Sequence, residues 1–373
     1  SGYTPTATGG SSTSSTEISV APASSAICTM TSGSVSFIAV GSCVLNLTQA
    51  GDANYNAANT ETQTITVAKG LQAITKTSTD PQNAVVAGAT YTPTFTGGNS
   101  GSPIVVEIAP ATASQCTVSN GIISFIGAGD CDYTVNQAGS SNYEAAPQLS
   151  YTISVGKGSQ ATAFTSTAPT SAAVGGATYS PTATGGASGN AVTFRIDVNT
   201  ASVCAITAGV VRFVGVGTCT VTANQSGSAN YLAAAVESQS FSVGKGAQTI
   251  SFTSSAPTNA VVAGATYTPV ATGGATGNTV TFSIASASSS ICSLVFGKVN
   301  FHTVGDCVIE ANQAGNTNYN AASASVTIRF GKLDQAAVTV SSTRTSVVYG
   351  AGSSITVSLT GGSGTGSISF ATS

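Results

Sequence analysis

Tryptophan is absent from the 373-residue chain, histidine occurs once, and only 6% of the residues are charged. A typical soluble domain carries about 25% charged residues, so hydroxyl and amide side chains must solvate this surface. The ten basic residues are scattered singly and the net charge is −3, which leaves no electrostatic footprint for a nucleic-acid partner. With a single histidine, a recurrent Ser-His-Asp arrangement has nowhere to form.

Long apolar runs are also missing. No uninterrupted apolar stretch approaches the roughly 18 to 20 residues of a spanning helix, so we expect no membrane span in this segment. The positive mean hydropathy of +0.27 reflects Ala, Val and Ile that alternate with Ser, Thr, Asn and Gln. No basic and apolar signal peptide opens the chain, and we expect any secretion signal to lie outside this segment.

An 88-residue internal repeat dominates what is present. Tyrosines, prolines and glycines recur at this step, and the run from Asn83 to Pro93 returns unchanged from Asn259 to Pro269. The cysteines keep the same step and fall 15 residues apart within each pair: Cys28 and Cys43, Cys116 and Cys131, Cys204 and Cys219, and Cys292 and Cys307.

Four lysines mark the boundaries between repeats: Lys69, Lys157, Lys245 and Lys332. They predict modules at 70–157, 158–245 and 246–332, a module at 1–69 that lacks its first strand, and the first strands of a further module at 333–373. Both ends are out of phase with the modules, and we therefore expect a slice of a longer array.

Period-two alternation within each module predicts β-strands. In module 70–157 we expect strands near 71–78, 83–87, 90–96, 103–108, 116–118, 121–126, 131–137 and 148–155. About seven short strands with turns every eight to twelve residues are typical of an immunoglobulin-like β-sandwich. The predicted fold class is all-β, with tandem sandwich modules in an elongated array.

The chain resembles the bacterial immunoglobulin-like repeats of very large surface and secreted proteins. The residues that carry the resemblance are Gly-x-Cys-x-Val-x-x-Asn-Gln at 217–225, the Asn-Tyr of the next loop, and the Tyr-x-Pro-x-x-Thr-Gly-Gly of the second strand. The resemblance covers the whole chain, but it is one of architecture and implies no activity.

Eight cysteines allow 105 pairings, but one pair in each repeat favours four bridges within modules. Closing a loop of about 15 residues is worth roughly 3 kcal/mol. Such bonds persist outside the cytoplasm, so we expect an extracellular or cell-surface location. Zinc is disfavoured because each module offers two thiols and only one module has a histidine.

Other reactive groups do not recur. His302 stands where the other copies have aliphatic residues, Asp130 and Asp132 flank one cysteine only, and the calcium-like loop at Asp52 has Ser140, Ser228 and Asn316 in its copies. We therefore interpret them as strand, corner and turn residues, and expect no catalytic site, metal or cofactor. Calcium bound by backbone oxygens at the joints stays open.

The loop that carries Asn-Tyr should lie at each module's entrance, next to the preceding linker. We expect the inter-module joint to contain Lys69, Tyr143, Lys157, Tyr231, Lys245, Tyr319 and Lys332. Linkers of two or three residues leave little slack, which favours a semi-rigid rod.

Repetition without a recurrent reactive group predicts a non-catalytic stalk or spacer of an adhesin-like bacterial surface or secreted protein. The predicted partners are neighbouring copies of the same modules. One alternative is a self-assembling extracellular filament completed by strand donation between chains. Another is a set of glycan-binding accessory modules of a secreted enzyme. The sequence names no receptor or glycan.

Overall fold

The computed structural model describes residues 2–343, 345–346, 350, 355–366 and 369. The elements in this part of the chain are short β-strands and three-residue 3-10 turns. Long strands alternate between buried and half-buried residues, as in Gly217–Gln225, where Cys219, Val221 and Ala223 are buried. Successive side chains of a strand point to opposite faces, so one face packs on a core. The predicted fold class, all-β with tandem immunoglobulin-like sandwich modules, is confirmed.

Two compact units make up the chain, and the division between them passes through the third repeat. The first unit comprises Ser1–Ala163, Thr184–Thr193 and Asn224–Val236, and the second comprises Phe164–Ala183, Phe194–Ala223 and Glu237–Ser373.

The first unit contains the strands of the first two repeats. The first repeat has β1 (Thr16–Val20), β2 (Cys28–Thr31), β3 (Ser34–Phe37), β4 (Gly41–Gln49) and β5 (Glu61–Val67), and the second has β6 (Thr75–Lys76), β7 (Phe95–Thr96), β8 (Ile104–Ile108), β9 (Cys116–Ser119), β10 (Ile122–Phe125), β11 (Gly129–Gln137) and β12 (Leu149–Val155). In each repeat a three-stranded antiparallel sheet, β1-β4-β5 or β8-β11-β12, is accompanied by a two-stranded sheet, β2-β3 or β9-β10.

The third repeat contributes to both units, and the second unit holds the rest of the chain. The third repeat has β13 (Ala163–Phe164), β14 (Ala172–Ala173), β15 (Ala183–Thr184), β16 (Val192–Ile196), β17 (Cys204–Thr207), β18 (Val210–Phe213), β19 (Gly217–Gln225) and β20 (Glu237–Gly244), and the fourth has β21 (Ser251–Phe252), β22 (Ala271–Thr272), β23 (Val280–Ile284), β24 (Cys292–Val295), β25 (Lys298–Phe301), β26 (Gly305–Gln313) and β27 (Ala322–Phe330). Beyond them β28 (Val338–Ser342) pairs with β29 (Val357–Gly361). The predicted module at 333–373 lies partly outside the described residues.

The first strands of the second repeat are shorter than the alternation predicts. Of the segments 71–78, 83–87 and 90–96, only Thr75–Lys76 and Phe95–Thr96 form a ladder. Val85 and Tyr91 make isolated bridges, to Gly156 and Ile123. Proline lacks the N–H that a ladder needs, and Pro81 and Pro93 interrupt this stretch.

Each repeat surrounds its own cluster of buried residues, and the two cysteines of the repeat belong to it. In the second repeat Ile123, Tyr133 and Val135 are fully buried beside Cys116 and Cys131. One core in each repeat is what a tandem array of small sandwiches requires.

Candidate inter-module joint

The structure contains four disulfide bonds, one in each repeat. They join Cys28 to Cys43, Cys116 to Cys131, Cys204 to Cys219 and Cys292 to Cys307, with Cα–Cα distances of 5.7 to 5.9 Å. In the second repeat Cys116 begins β9 and Cys131 lies in β11, so the bond links the two sheets of the sandwich. All eight sulfurs belong to buried residues, which protects them from reductants.

A buried glutamine at the end of the long central strand shapes the loops beside each joint. Gln137 is 4% exposed; its Oε1 accepts from the Gly98 N–H at 2.8 Å and its Nε2 donates to the Ser102 carbonyl at 2.9 Å. Both bonds satisfy an amide that would be costly to bury alone. Gln49, Gln225 and Gln313 make the corresponding bonds in the other repeats.

The linker before the second repeat is bonded along its length to that repeat. The Gly70 N–H donates to the Asn142 carbonyl, and the Glu144 N–H donates to the Gly70 carbonyl, both at 2.9 Å. Two residues later, Gln72 accepts from the Ser100 N–H and donates to the Ala138 carbonyl. Gly158, Gln160, Gly246 and Gln248 repeat this pattern. Each linker is therefore anchored at two residues to the repeat that follows it.

In the second, third and fourth repeats an asparagine side chain reaches the repeat before it. Asn142 Oδ1 accepts from the Val40 N–H at 3.0 Å, Asn230 Oδ1 from the Ala128 N–H at 3.0 Å, and Asn318 Oδ1 from the Val216 N–H at 3.2 Å. The three asparagines lie in equivalent loops. The three N–H donors lie in equivalent turns, between β3 and β4, between β10 and β11, and between β18 and β19. The same asparagine bond is thus made at all three junctions.

The predicted tyrosines lie at this joint against the linker glycines. A Cβ at Gly158 would stand 3.0 Å from the Tyr231 ring and 2.6 Å from the Val86 carbonyl, so only glycine fits there. Tyr231 packs against the buried cluster of the second repeat, and Tyr319 packs against that of the third. Tyr55, which has no repeat before it in this chain, is 52% exposed. Tyr143 is half-buried beside Gly70.

The four predicted lysines do not behave alike. Lys157 Nζ donates to the Ser228 carbonyl and Lys245 Nζ to the Asn316 carbonyl, each at 2.7 Å. Among the described residues no such bond is seen for Lys69 or Lys332. Sequence reasoning named the tyrosines and lysines but gave no role to the asparagines and linker glutamines, although both recur with the repeat.

The remaining polar candidates have local partners. His302 is exposed, and its Nε2 lies 2.7 Å from Ser293 Oγ. Asp130 and Asp132 accept bonds from Ser154 and Thr152 on the neighbouring strand. No group of three His, Cys, Asp or Glu side chains that could hold a metal occurs in the part of the chain that the structure describes.

Asp52 is held by its own loop and a neighbouring one. The backbone N–H groups of Thr13 and Asn54 donate to its carboxylate and lower its pKa to about 2. Tyr55 N–H adds a third bond, at 3.0 Å. These contacts are those of an aspartate that caps a turn.

A scan against protein-family models finds no match, and a search of curated proteins finds no significant relative. Among solved structures, Drosophila N-cadherin domains EC1–4 share 13% identity over 89% of this chain and 95% of that chain, with a TM-score of 0.21. Protocadherin Gamma B7 cadherin domains 1–4 share 10% over 85% and 92%, with a TM-score of 0.27. An S-layer protein shares 13% over 93% and 61%, with a TM-score of 0.22. At these TM-scores the likenesses identify no shared function. Within the described residues no helix is long and apolar enough to cross a bilayer.

Proposed function

We propose that this chain is a non-catalytic structural spacer of an extracellular surface or secreted protein, with the module boundaries given by the lysines. The observation that carries the proposal is the joint: the asparagine-to-corner bond and the tyrosine-to-glycine contact occur with the same geometry at all three junctions. A repeated contact of this kind maintains spacing between modules. The bacterial, adhesin-like setting rests on the resemblance of the repeat motifs.

Each joint contact is weak by itself, and the short linker helps several of them together to hold neighbouring modules in contact. A hydrogen bond contributes about 1 kcal/mol net, and a half-buried tyrosine adds apolar contact. Two surfaces joined by a short linker face each other at an effective concentration in the millimolar range or above, so their contact costs less association entropy than that of two separate molecules. Because Gly70, Gly158 and Gly246 are themselves bonded to the loop, the contact surfaces are held in place.

The disulfides support the extracellular part of the proposal. Four bonds, each within one repeat, are typical of proteins that fold in an oxidising environment outside the cytoplasm. Each closes a loop of about 15 residues, worth roughly 3 kcal/mol to a small sandwich. A spacer outside the cell benefits because every module is stabilised independently of its neighbours.

The test compares joint variants in the full chain. Asn142→Ala, Asn230→Ala and Asn318→Ala together should broaden the range of inter-module angles in negative-stain images and change the radius of gyration in small-angle X-ray scattering. Asn54→Ala is the matched control, because Tyr55 in the same loop has no preceding repeat in this chain. Equal scattering of the triple variant and the wild type would refute the role of the joint. Helical or laterally bonded fibres of the wild type would favour a filament instead.

A further inference from the structure

One hairpin of the fourth repeat departs from its three copies. Strands β24 and β25 pair with Val295 opposite Lys298 and Ser293 opposite Asn300, and the turn between them is Phe296-Gly297. Paired residues of antiparallel strands share a face. Because Val299 and Phe301 on the other face are buried, the face with Val295, Lys298 and Asn300 points outward.

Phe296 at the tip of this hairpin is 100% exposed and has a φ of +50°. A left-handed backbone is unfavourable for a bulky side chain and is better tolerated by Asn. The other repeats have Ser32, Asn120 and Ala208 at this turn, with the same φ of 50°. The equivalent hairpins thus form without an aromatic residue at this position, and the Phe296 side chain adds no packing to the core.

Further departures surround Phe296 on the outward face. Lys298 is exposed and replaces a serine, an isoleucine and a valine of the other repeats. Val295 is 48% exposed next to it. His302 is held against Ser293 at 2.7 Å. In the described residues no ion pair neutralises Lys298, because the two ion pairs there join Lys76 to Asp80 and Arg329 to Asp306.

We propose that this face, formed by Val295, Phe296, Lys298, Asn300 and His302, binds an acidic polysaccharide. The π-face of Phe296 attracts the C–H groups of a sugar ring, and the free ammonium of Lys298 donates to the carboxylate of a uronic acid. Asn300 in β25 and His302 just after it supply polar groups for sugar hydroxyls. The site is an open sheet face with one aromatic tip, which suits an extended chain of sugars. An unpaired cation favours an anionic glycan over a neutral one.

The test measures retardation of the full chain in gels that contain polygalacturonate, compared with gels that contain neutral dextran. The wild type should be retarded only by polygalacturonate. Phe296→Ser restores the residue of the first repeat and should weaken binding about tenfold, the effect expected when a ring that is partly covered by ligand is lost. Lys298→Ser should weaken binding about threefold at low salt, and this difference should vanish at about 0.5 M salt.

Two control variants match the chemistry at other places in the second unit. Arg212→Ala removes a cation from the same hairpin face of the third repeat, and Val198→Ser removes an apolar side chain that is 86% exposed. Neither should change the retardation. Phe296→Ser should leave the thermal midpoint unchanged or raised, since serine occupies the same backbone conformation at Ser32. A loss of binding therefore cannot be blamed on unfolding.

A gain-of-function variant completes the test. Ser32→Phe with Ser34→Lys in the first repeat creates a second tip and should raise the number of sites from one to two in a calorimetric titration with oligogalacturonate. The proposal is overturned if the wild type is not retarded, if dextran retards it equally, or if Phe296→Ser binds as the wild type does. It is also overturned if the chain instead sediments, through Phe296, with vesicles of phosphatidylcholine and phosphatidylglycerol.

Discussion

The second repeat holds a half-buried ion pair at positions where the third and fourth repeats have Phe and Ala, and its removal tests the packing of this sandwich. The side chains of Lys76 and Asp80 are 11% and 26% exposed, and the two are directly bonded. Lys76 Nζ also lies 2.7 Å from the Tyr133 hydroxyl and 4.0 Å from the centroid of the Tyr151 ring. The Tyr133 hydroxyl donates to Asp80 at 2.8 Å. Each polar atom of the cluster therefore depends on the others.

Asp80→Ala should destabilise the second repeat by about 3 kcal/mol. Breaking a buried pair from one side costs about 3–5 kcal/mol because the remaining charge stays buried without a partner, and the partial exposure of Asp80 places it at the low end. The triple variant Lys76→Phe, Asp80→Ala and Tyr133→Val installs the residues of the third repeat. It should come within about 1 kcal/mol of the wild type, since apolar replacement of a whole ion pair is often neutral.

The assay must resolve single repeats, since a multi-module chain does not unfold in two states. Hydrogen exchange of the full chain, followed by mass spectrometry, gives the opening free energy of peptides from β11 and, as an internal reference, from β19. Asp306→Ala, which breaks the exposed pair with Arg329, is the control and should cause no resolvable change. A loss below about 1 kcal/mol for Asp80→Ala, or no recovery in the triple variant, would refute the reasoning.

The same pair predicts an acid-sensitive repeat. Burial raises the pKa of Asp80, but the bonds from Lys76 and Tyr133 outweigh it and hold the pKa below the ordinary value of 3.8. A carboxyl group with a lowered pKa contributes stability above its unfolded pKa and loses it as the pH falls through the folded value. Protection of β11 should therefore decline below about pH 3.8 in the wild type but not in the triple variant.

Three further predictions use the same exchange and scattering measurements. Thr162→Ile should stabilise the third repeat by about 1 kcal/mol, because the buried Thr162 hydroxyl has no partner in the described structure and Ile74 occupies this position in the second repeat. Unchanged hydrogen exchange in the third repeat would contradict this. Gly158→Ala should loosen the joint, seen as altered scattering, since its Cβ would meet the Val86 carbonyl at 2.6 Å; normal scattering would show that the joint tolerates a side chain. Replacing both cysteines of the second repeat by alanine should cost that repeat about 3 kcal/mol, and reductant should then have no further effect on it.

The sequence was sufficient for the features that depend on local pattern. The alternation of Cys219, Val221 and Ala223 and the cysteine pair in each repeat follow from residues close together in the chain. The 88-residue period is visible because the same residues recur at that step. Such patterns reflect which face of a strand meets the core, and that depends on neighbours two residues away. The all-β architecture is predictable on these grounds.

Contacts between distant segments were not predictable in the same way. Asn142 recurs in every repeat, as Tyr143 does, but the sequence pattern does not indicate that its side-chain amide contacts Val40 in the previous repeat. Lys76 would be assigned to the surface by its charge, because its partners Asp80 and Tyr133 come together only in the folded sandwich. Phe296 stands where the second repeat has Asn120, between the predicted strands 116–118 and 121–126, so the repeat places it in a turn. Only the structure shows that its ring is fully exposed at a φ of +50°.

Four copies of one framework separate residues that serve folding from residues that serve something else. Lys76 departs from its copies, but its cost is offset within the same sandwich by Asp80, Tyr133 and the Tyr151 ring. Phe296 also departs, yet it stands in an unfavourable backbone conformation and is fully exposed, so no contact within the described part of the chain offsets its cost. A substitution whose cost is compensated by contacts within the chain is explained by packing alone. A substitution without such contacts points to a ligand outside the chain, and by this criterion binding should be sought first at the hairpin tip of the fourth repeat.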